Sequence, residues 1–264
     1  NEQALTPMQD VASIAAEEND FSDGRYDYTY ASLERIGMPD FDPWIRPIIP
    51  VLFNKEGGIV ATHELRGVAI LCDRYVITSS GPFQVAREEI SVGPDVELGG
   101  ILIWGIEATA EGDILEEETV KVFYTDFEKG LIIFERPLSS KFSFPAAHAC
   151  PFVIGDPHGL QELQKLIIIG HSKGQEATIM LPARTGQITF LSHEQNRIHF
   201  VSSTSYYDWG SPLFALRDGI PELVGITVGA HLREYKETKS YALDILYILD
   251  ILEDKLRIKL NGLN

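Results

Sequence analysis

The plainest chemical pattern in this chain is Gly170-His171-Ser172-Lys173-Gly174, which follows the apolar stretch Leu166–Ile169. A Gly-x-Ser-x-Gly turn lifts a serine hydroxyl to where it can attack a carbonyl. The attack needs a histidine to take the proton and a carboxylate to orient that histidine. Asp208 or Asp218 with His231 would supply them downstream, in the order acid then base. The turn also needs a helix directly after the serine. Gln175–Leu181 alternates like a strand and stops at Pro182, so it offers two turns at most. A serine hydrolase acting through Ser172 is therefore the alternative reading.

Other reactive side chains are scattered. Seven histidines occur, and none forms a helical His-x-x-x-His or Glu-x-x-His pair. His193 and His199 flank a turn with Glu194 between them, so they could meet across a hairpin. The preferred reading is surface histidines, with no metal site and no cofactor. Cys72 and Cys150 are too few for a disulfide framework. One bridge and two buried thiols both remain open.

Composition narrows the partners. The 264 residues carry a formal charge of −17, which disfavours nucleic acid because phosphate binding needs a basic surface. Residues 1–44 alone hold ten acids and two bases. This extension reads as a solvated, solubilising segment, with docking to a basic partner as the functional alternative. No apolar run approaches the roughly 18–20 residues of a membrane span; Leu98–Ile106 is interrupted by three glycines and reads as a buried strand. No signal segment and no Asn-x-Ser/Thr site is visible.

The elements that must position any site are mostly strands. Thr6-Pro7 starts a helix to about Glu18, and a second short helix is expected over Ala31–Ile36. From Ile45 onward, a dozen short apolar or alternating runs are bounded by Gly, Pro, Asp and Asn, with no helix between them. That pattern predicts a sandwich or barrels rather than a βαβ sheet. Tyr241–Leu256 carries a helical apolar stripe and predicts a C-terminal helix.

Four segments, in order, resemble the chymotrypsin/trypsin family of serine proteases. Pro43-Trp44-Ile45 with Ile48–Phe53 is similar to that family's first barrel strand. Gly67–Thr78 is similar to the strand pair that leads to the catalytic histidine. Gly130–Leu138 is similar to the strand after the catalytic aspartate. Asp208-Trp209-Gly210-Ser211-Pro212, followed by Asp218-Gly219 and Leu223–Ile226, is similar to the nucleophile loop and its hairpin. The resemblance spans about residues 43–256. It implies an all-β fold of two antiparallel Greek-key barrels with a C-terminal helix. Residues 1–42 are then an acidic, partly helical extension, and residues 43–264 are the double-barrel domain.

The resemblance also locates a degenerate catalytic centre. The histidine position is Gly81 and the serine position is Trp209. The aspartate position is Glu128, or Gly130 if the strand slips by two. Tyr207 replaces the oxyanion-hole glycine, and Ser203 lies at the pocket floor. Glycine cannot accept a proton and indole is no nucleophile, so the expectation is a non-enzyme, a pseudoprotease that binds proteins as cofactor, decoy or structural subunit. The candidate binding residues are Trp209, Tyr206, Tyr207 and Ser203, with the loop after Ser80. Asp208 is expected to pair locally. The Ser172 turn, which matches the elbow of α/β-hydrolases, falls at the first strand of the second barrel. Family habit implies secretion, a possible Cys72–Cys150 bridge, and homo- or hetero-oligomers.

Overall fold

The computed structural model of the chain describes residues 27–28, 44–72, 74–90, 95–109, 112–142, 152–170, 183–202, 209–231 and 238–255. In chain order the strands are β1 (Asp27–Tyr28), β2 (Ile45–Phe53), β3 (Ile59–Thr62), β4 (Gly67–Cys72), β5 (Tyr75–Ser79), β6 (Glu97–Thr109), β7 (Gly112–Asp126) and β8 (Leu131–Glu135). They continue as β9 (Val153–Ile154), β10 (Lys165–Ile169), β11 (Ala183–Ser192), β12 (Arg197–Ser202), β13 (Pro212–Arg217), β14 (Ile220–His231) and β15 (Thr238–Asp244). Helix α1 spans Gly81–Glu89, and α2 spans Ile245–Asp250 before a π-helical turn, Ile251–Lys255.

Six antiparallel strands close the first barrel in the order β2-β4-β5-β8-β7-β6, with β6 pairing back onto β2. The second closes as β11-β10-β13-β14-β15-β12, with β12 pairing back onto β11. The architecture is thus the trypsin-like double barrel. Closure removes the open sheet edges that would otherwise invite aggregation. Of the extension, Asp27–Tyr28 lies within the described residues and adds antiparallel to Arg184–Ala183 of β11. The helices expected over residues 6–18 and 31–36 lie outside them.

Several runs are apolar at every position, which alternation alone does not predict. Leu131–Phe134 and Leu166–Ile169 are buried throughout. Side chains alternate across a strand, so successive residues face opposite sides. Ile132 and Phe134 fill the interior of the first barrel, while Leu131 and Ile133 join the second barrel in a shared seam. Likewise Leu166 and Ile168 fill the second barrel, and Ile167 and Ile169 face the seam. A strand buried on both faces loses its polar alternation.

Two elements differ from the sequence reading. The segment after Ser80 is helix α1, not a loop. Pro82 near its start suits the first turn, where no intrahelical amide donor is required, and Phe83 and Ala86 bury its inner face. At the C-terminus, Thr238–Asp244 is strand β15, and the helix begins only at Ile245. Tyr241–Leu243 is held by strand pairing with both β12 and β14. Asp244 then caps α2, its side chain accepting from the Tyr247 amide at 2.8 Å. Capping and strand pairing override the apolar stripe that made the whole stretch look helical.

Helix α2 ties the C-terminus to the first barrel. The Tyr247 hydroxyl donates to Asp126 Oδ2 at 2.9 Å. Asp126 ends β7, beside the turn that carries Glu128. Burial, then the hydrogen bond and charge of Asp126, raise the Tyr247 phenol above the ordinary tyrosine range. A raised folded-state value means the bond is fully present below the unfolded phenol's pKa of about 10 and is lost as pH rises through the folded value. Tyr247→Phe should cost about 1 kcal/mol in urea unfolding at pH 7. It should also make the unfolding midpoint fall less steeply than in the parent between about pH 10 and 11. Parallel pH profiles for the two chains would show that Tyr247 does not carry this linkage.

Candidate functional site

The three positions that the family resemblance marks converge where the barrels meet. Gly81 opens α1 directly after β5. Trp209 and Gly210 form the turn before β13. Of the two residues that align with the third position, strand pairing brings Gly130 alongside. Ser79 of β5 pairs with Leu131 of β8, and the Ser80 amide donates to the Gly130 carbonyl at 2.8 Å. Gly130, not Glu128, is therefore the residue beside Gly81; Glu128 is exposed in the β7–β8 turn.

The turn at 209–210 is fastened to both barrels. The Val68 amide, on β4, donates to the Trp209 carbonyl at 2.7 Å. The Gly210 amide donates to the Thr227 carbonyl of β14 at 2.7 Å. Gly210 has φ +88°, a left-handed conformation that side chains disfavour. A Cβ there would run into the Val68 carbonyl oxygen and the Thr78 hydroxyl. That hydroxyl is fully buried and donates to the same Val68 carbonyl at 2.6 Å. A glycine is thus required at 210 by both conformation and space.

The flanking positions are filled by side chains from the opposite barrel. A Cβ placed on Gly81 would lie 3.0–3.2 Å from Cδ2, Cε3 and Cε2 of the Trp209 indole. The indole is packed flat into the volume that any side chain at 81 would enter. Gly130, with φ +85°, presents the same arrangement: a Cβ there would lie 3.0 Å from Val228 Cβ. Val228 is buried on β14. Ser79 Oγ, next to this point, donates to the Val228 carbonyl at 3.4 Å and accepts from the Gly81 amide at 3.2 Å.

This arrangement can hold the barrels together. Gly81 and Gly130 carry no ionisable group, and the Trp209 indole nitrogen is a donor only. Sequence reasoning located Gly81, Gly130 and Trp209, but did not foresee that Val228 fills the space at Gly130. The apolar residue at that place in β14 was visible in the sequence, yet only the strand pairing brings it across the seam. Tyr206, Tyr207, Asp208, Ser203, Ser172 and Cys150 lie outside the described residues. Cys72 is buried on β4 at the seam. The strand before Ser172, β10, runs antiparallel to both β11 and β13. It lacks the parallel sheet on which an α/β-hydrolase elbow is built.

Comparison with solved structures gives the same fold. The chain superposes on the crystal structure of Deg5 with a TM-score of 0.52 and 14% identity, covering 84% of this chain and 96% of that one. It superposes on a variant of the HtrA-type protease AlgW with a tripeptide, with a TM-score of 0.50 and 14% identity. That match covers 81% of this chain and 61% of the AlgW chain. No protein-family model and no curated protein matches the sequence. The class these observations define is a protein with the trypsin-like protease fold.

The contact between Gly81 and Trp209 is testable by a double-mutant cycle. Gly81→Ala should destabilise the parent by about 1 kcal/mol, because the indole must shift. In a Trp209→Ala background the same change should stabilise by up to about 1 kcal/mol, since alanine is the better helix former. Equal effects in both backgrounds would show that the two residues are not coupled. Gly210→Ala combines backbone strain with overpacking and should cost about 3 kcal/mol or more in urea unfolding. A loss below about 1 kcal/mol would contradict the packing described at Val68 and Thr78.

Proposed function

We propose that this protein is a non-catalytic serine protease homologue that acts by binding other proteins, as a cofactor, decoy or structural subunit. The observation that carries this reading is the packing of Trp209 against Gly81. Serine-protease chemistry needs an imidazole where Gly81 stands and a small hydroxyl where Trp209 stands. This reading is supported by the Trp209 indole lying 3.0–3.2 Å from where a Cβ on Gly81 would stand. A Cβ on Gly130 would likewise meet Val228 of the opposite barrel, at 3.0 Å. Removing the base or the nucleophile alone typically lowers the rate by several orders of magnitude, and here both are replaced.

The face that would contact a partner is the edge of Trp209, which remains half-buried, with Tyr206, Tyr207 and Ser203 next to it in sequence. Aromatic residues at such a place are effective anchors because they bury much area with few rotatable bonds. A fluorophosphonate probe, which labels activated serines, tests the reading against the Ser172 hydrolase. No labelling of the folded chain is expected, nor any turnover of peptide substrates. Stoichiometric labelling at Ser172 would overturn the proposal in favour of the hydrolase. Peptide hydrolysis abolished by substitutions at Trp209 or Gly81 would overturn it in favour of a protease.

A further inference from the structure

On the second barrel, two imidazoles from distant segments touch at the surface. His158 lies in the 3-10 turn Pro157–Gly159, and His193 in the 3-10 turn His193–Gln195 that links β11 to β12. Both side chains are exposed. Their ring centroids are 4.7 Å apart with planes inclined by 31°. The backbone of each is held. The Asp156 carboxylate accepts from the His158 amide at 2.9 Å, and the His193 carbonyl accepts from the Asn196 amide at 3.2 Å.

We propose that His158 and His193 form a two-imidazole site for a borderline divalent transition ion such as zinc. Neutral imidazole is a strong ligand for this class of ion. Two nitrogens on one tetrahedral zinc stand about 3.3 Å apart. The ring centroids are already 4.7 Å apart, and exposed rings rotate at little cost in packing. Both turns are already fixed, so binding does not have to order the backbone. Among the described residues no group of three or more His, Cys, Asp or Glu is arranged around one ion. The site therefore takes two protein ligands from this chain, and water or a group from a bound partner completes the shell. Occupancy would staple the segment after the inter-barrel connection to the β11–β12 hairpin end. This site is independent of the reading of the seam.

Zinc titration of the full chain by calorimetry at pH 7.5 tests the proposal. One saturable site is expected. His158→Asn and His193→Asn should each weaken it at least about tenfold, while His63→Gln, on the first barrel, should leave it unchanged. Both tested histidines are exposed, so the variants should keep the parent's circular dichroism spectrum. Absence of saturable binding in the parent would overturn the proposal. So would binding that survives in the doubly substituted chain, because the ion would then sit elsewhere.

Discussion

The approach of Gly210 to Val68 and Thr78 is the constraint on which the rest of the cleft depends. One residue with no side chain, in a left-handed conformation, lets the turn before β13 touch the first barrel. The Trp209 carbonyl and the Gly210 amide then bind strands of different barrels. With the backbone fastened on both sides, the direction of the Trp209 side chain follows, and it leads to Gly81. The seam strands β4, β5, β8, β10, β13 and β14 bury residues on both faces because this contact holds the barrels together. The same closeness brings Trp209 and Val228 to within 3.0 Å of where a Cβ at 81 or 130 would stand.

Loss of chemistry and loss of space are different events. A centre that had merely lost its reactive groups would contain cavities, and interiors of proteins pack too densely to leave them without cost. Here the seam is closely packed: the Trp209 indole lies against Gly81, within 3.0–3.2 Å of where a Cβ would stand. Val228 fills the corresponding room at Gly130. Such close packing favours a scaffold stabilised for its surface, which is the basis for proposing binding as its role.

The seam is also reinforced away from the cleft. Asp126 at the end of β7 accepts from the hydroxyl of Tyr247 on α2, so the last helix is tied to the first barrel. On the opposite flank of that barrel, Arg136 is buried and pairs with buried Glu118 at 2.9 Å. The same guanidinium donates to Ser140 Oγ at 2.9 Å and to the Phe142 carbonyl, and the Phe142 ring stacks on Trp104 at 4.8 Å. The start of the inter-barrel connection is thereby anchored. A buried pair of this kind needs its further hydrogen bonds, because charge removed from water is otherwise costly.

What the sequence determined by itself was the class of the fold. Short apolar runs with turn residues between them predicted a sandwich or barrels, and the order of four motifs resembled one double barrel. Gly81 and Trp209 were legible because their neighbours in sequence carry the likeness. Three matters were decided by tertiary structure alone. The choice between Glu128 and Gly130 depended on strand register, which a two-residue slip leaves ambiguous in sequence. The boundary between β15 and α2 depended on strand pairing and an aspartate cap competing with an apolar stripe. The filling of Gly81 by Trp209, and of Gly130 by Val228, depended on contacts between residues about a hundred positions apart or more. Local pattern encodes which residues are apolar and where turns fall; it does not encode which distant side chain occupies the space a glycine leaves.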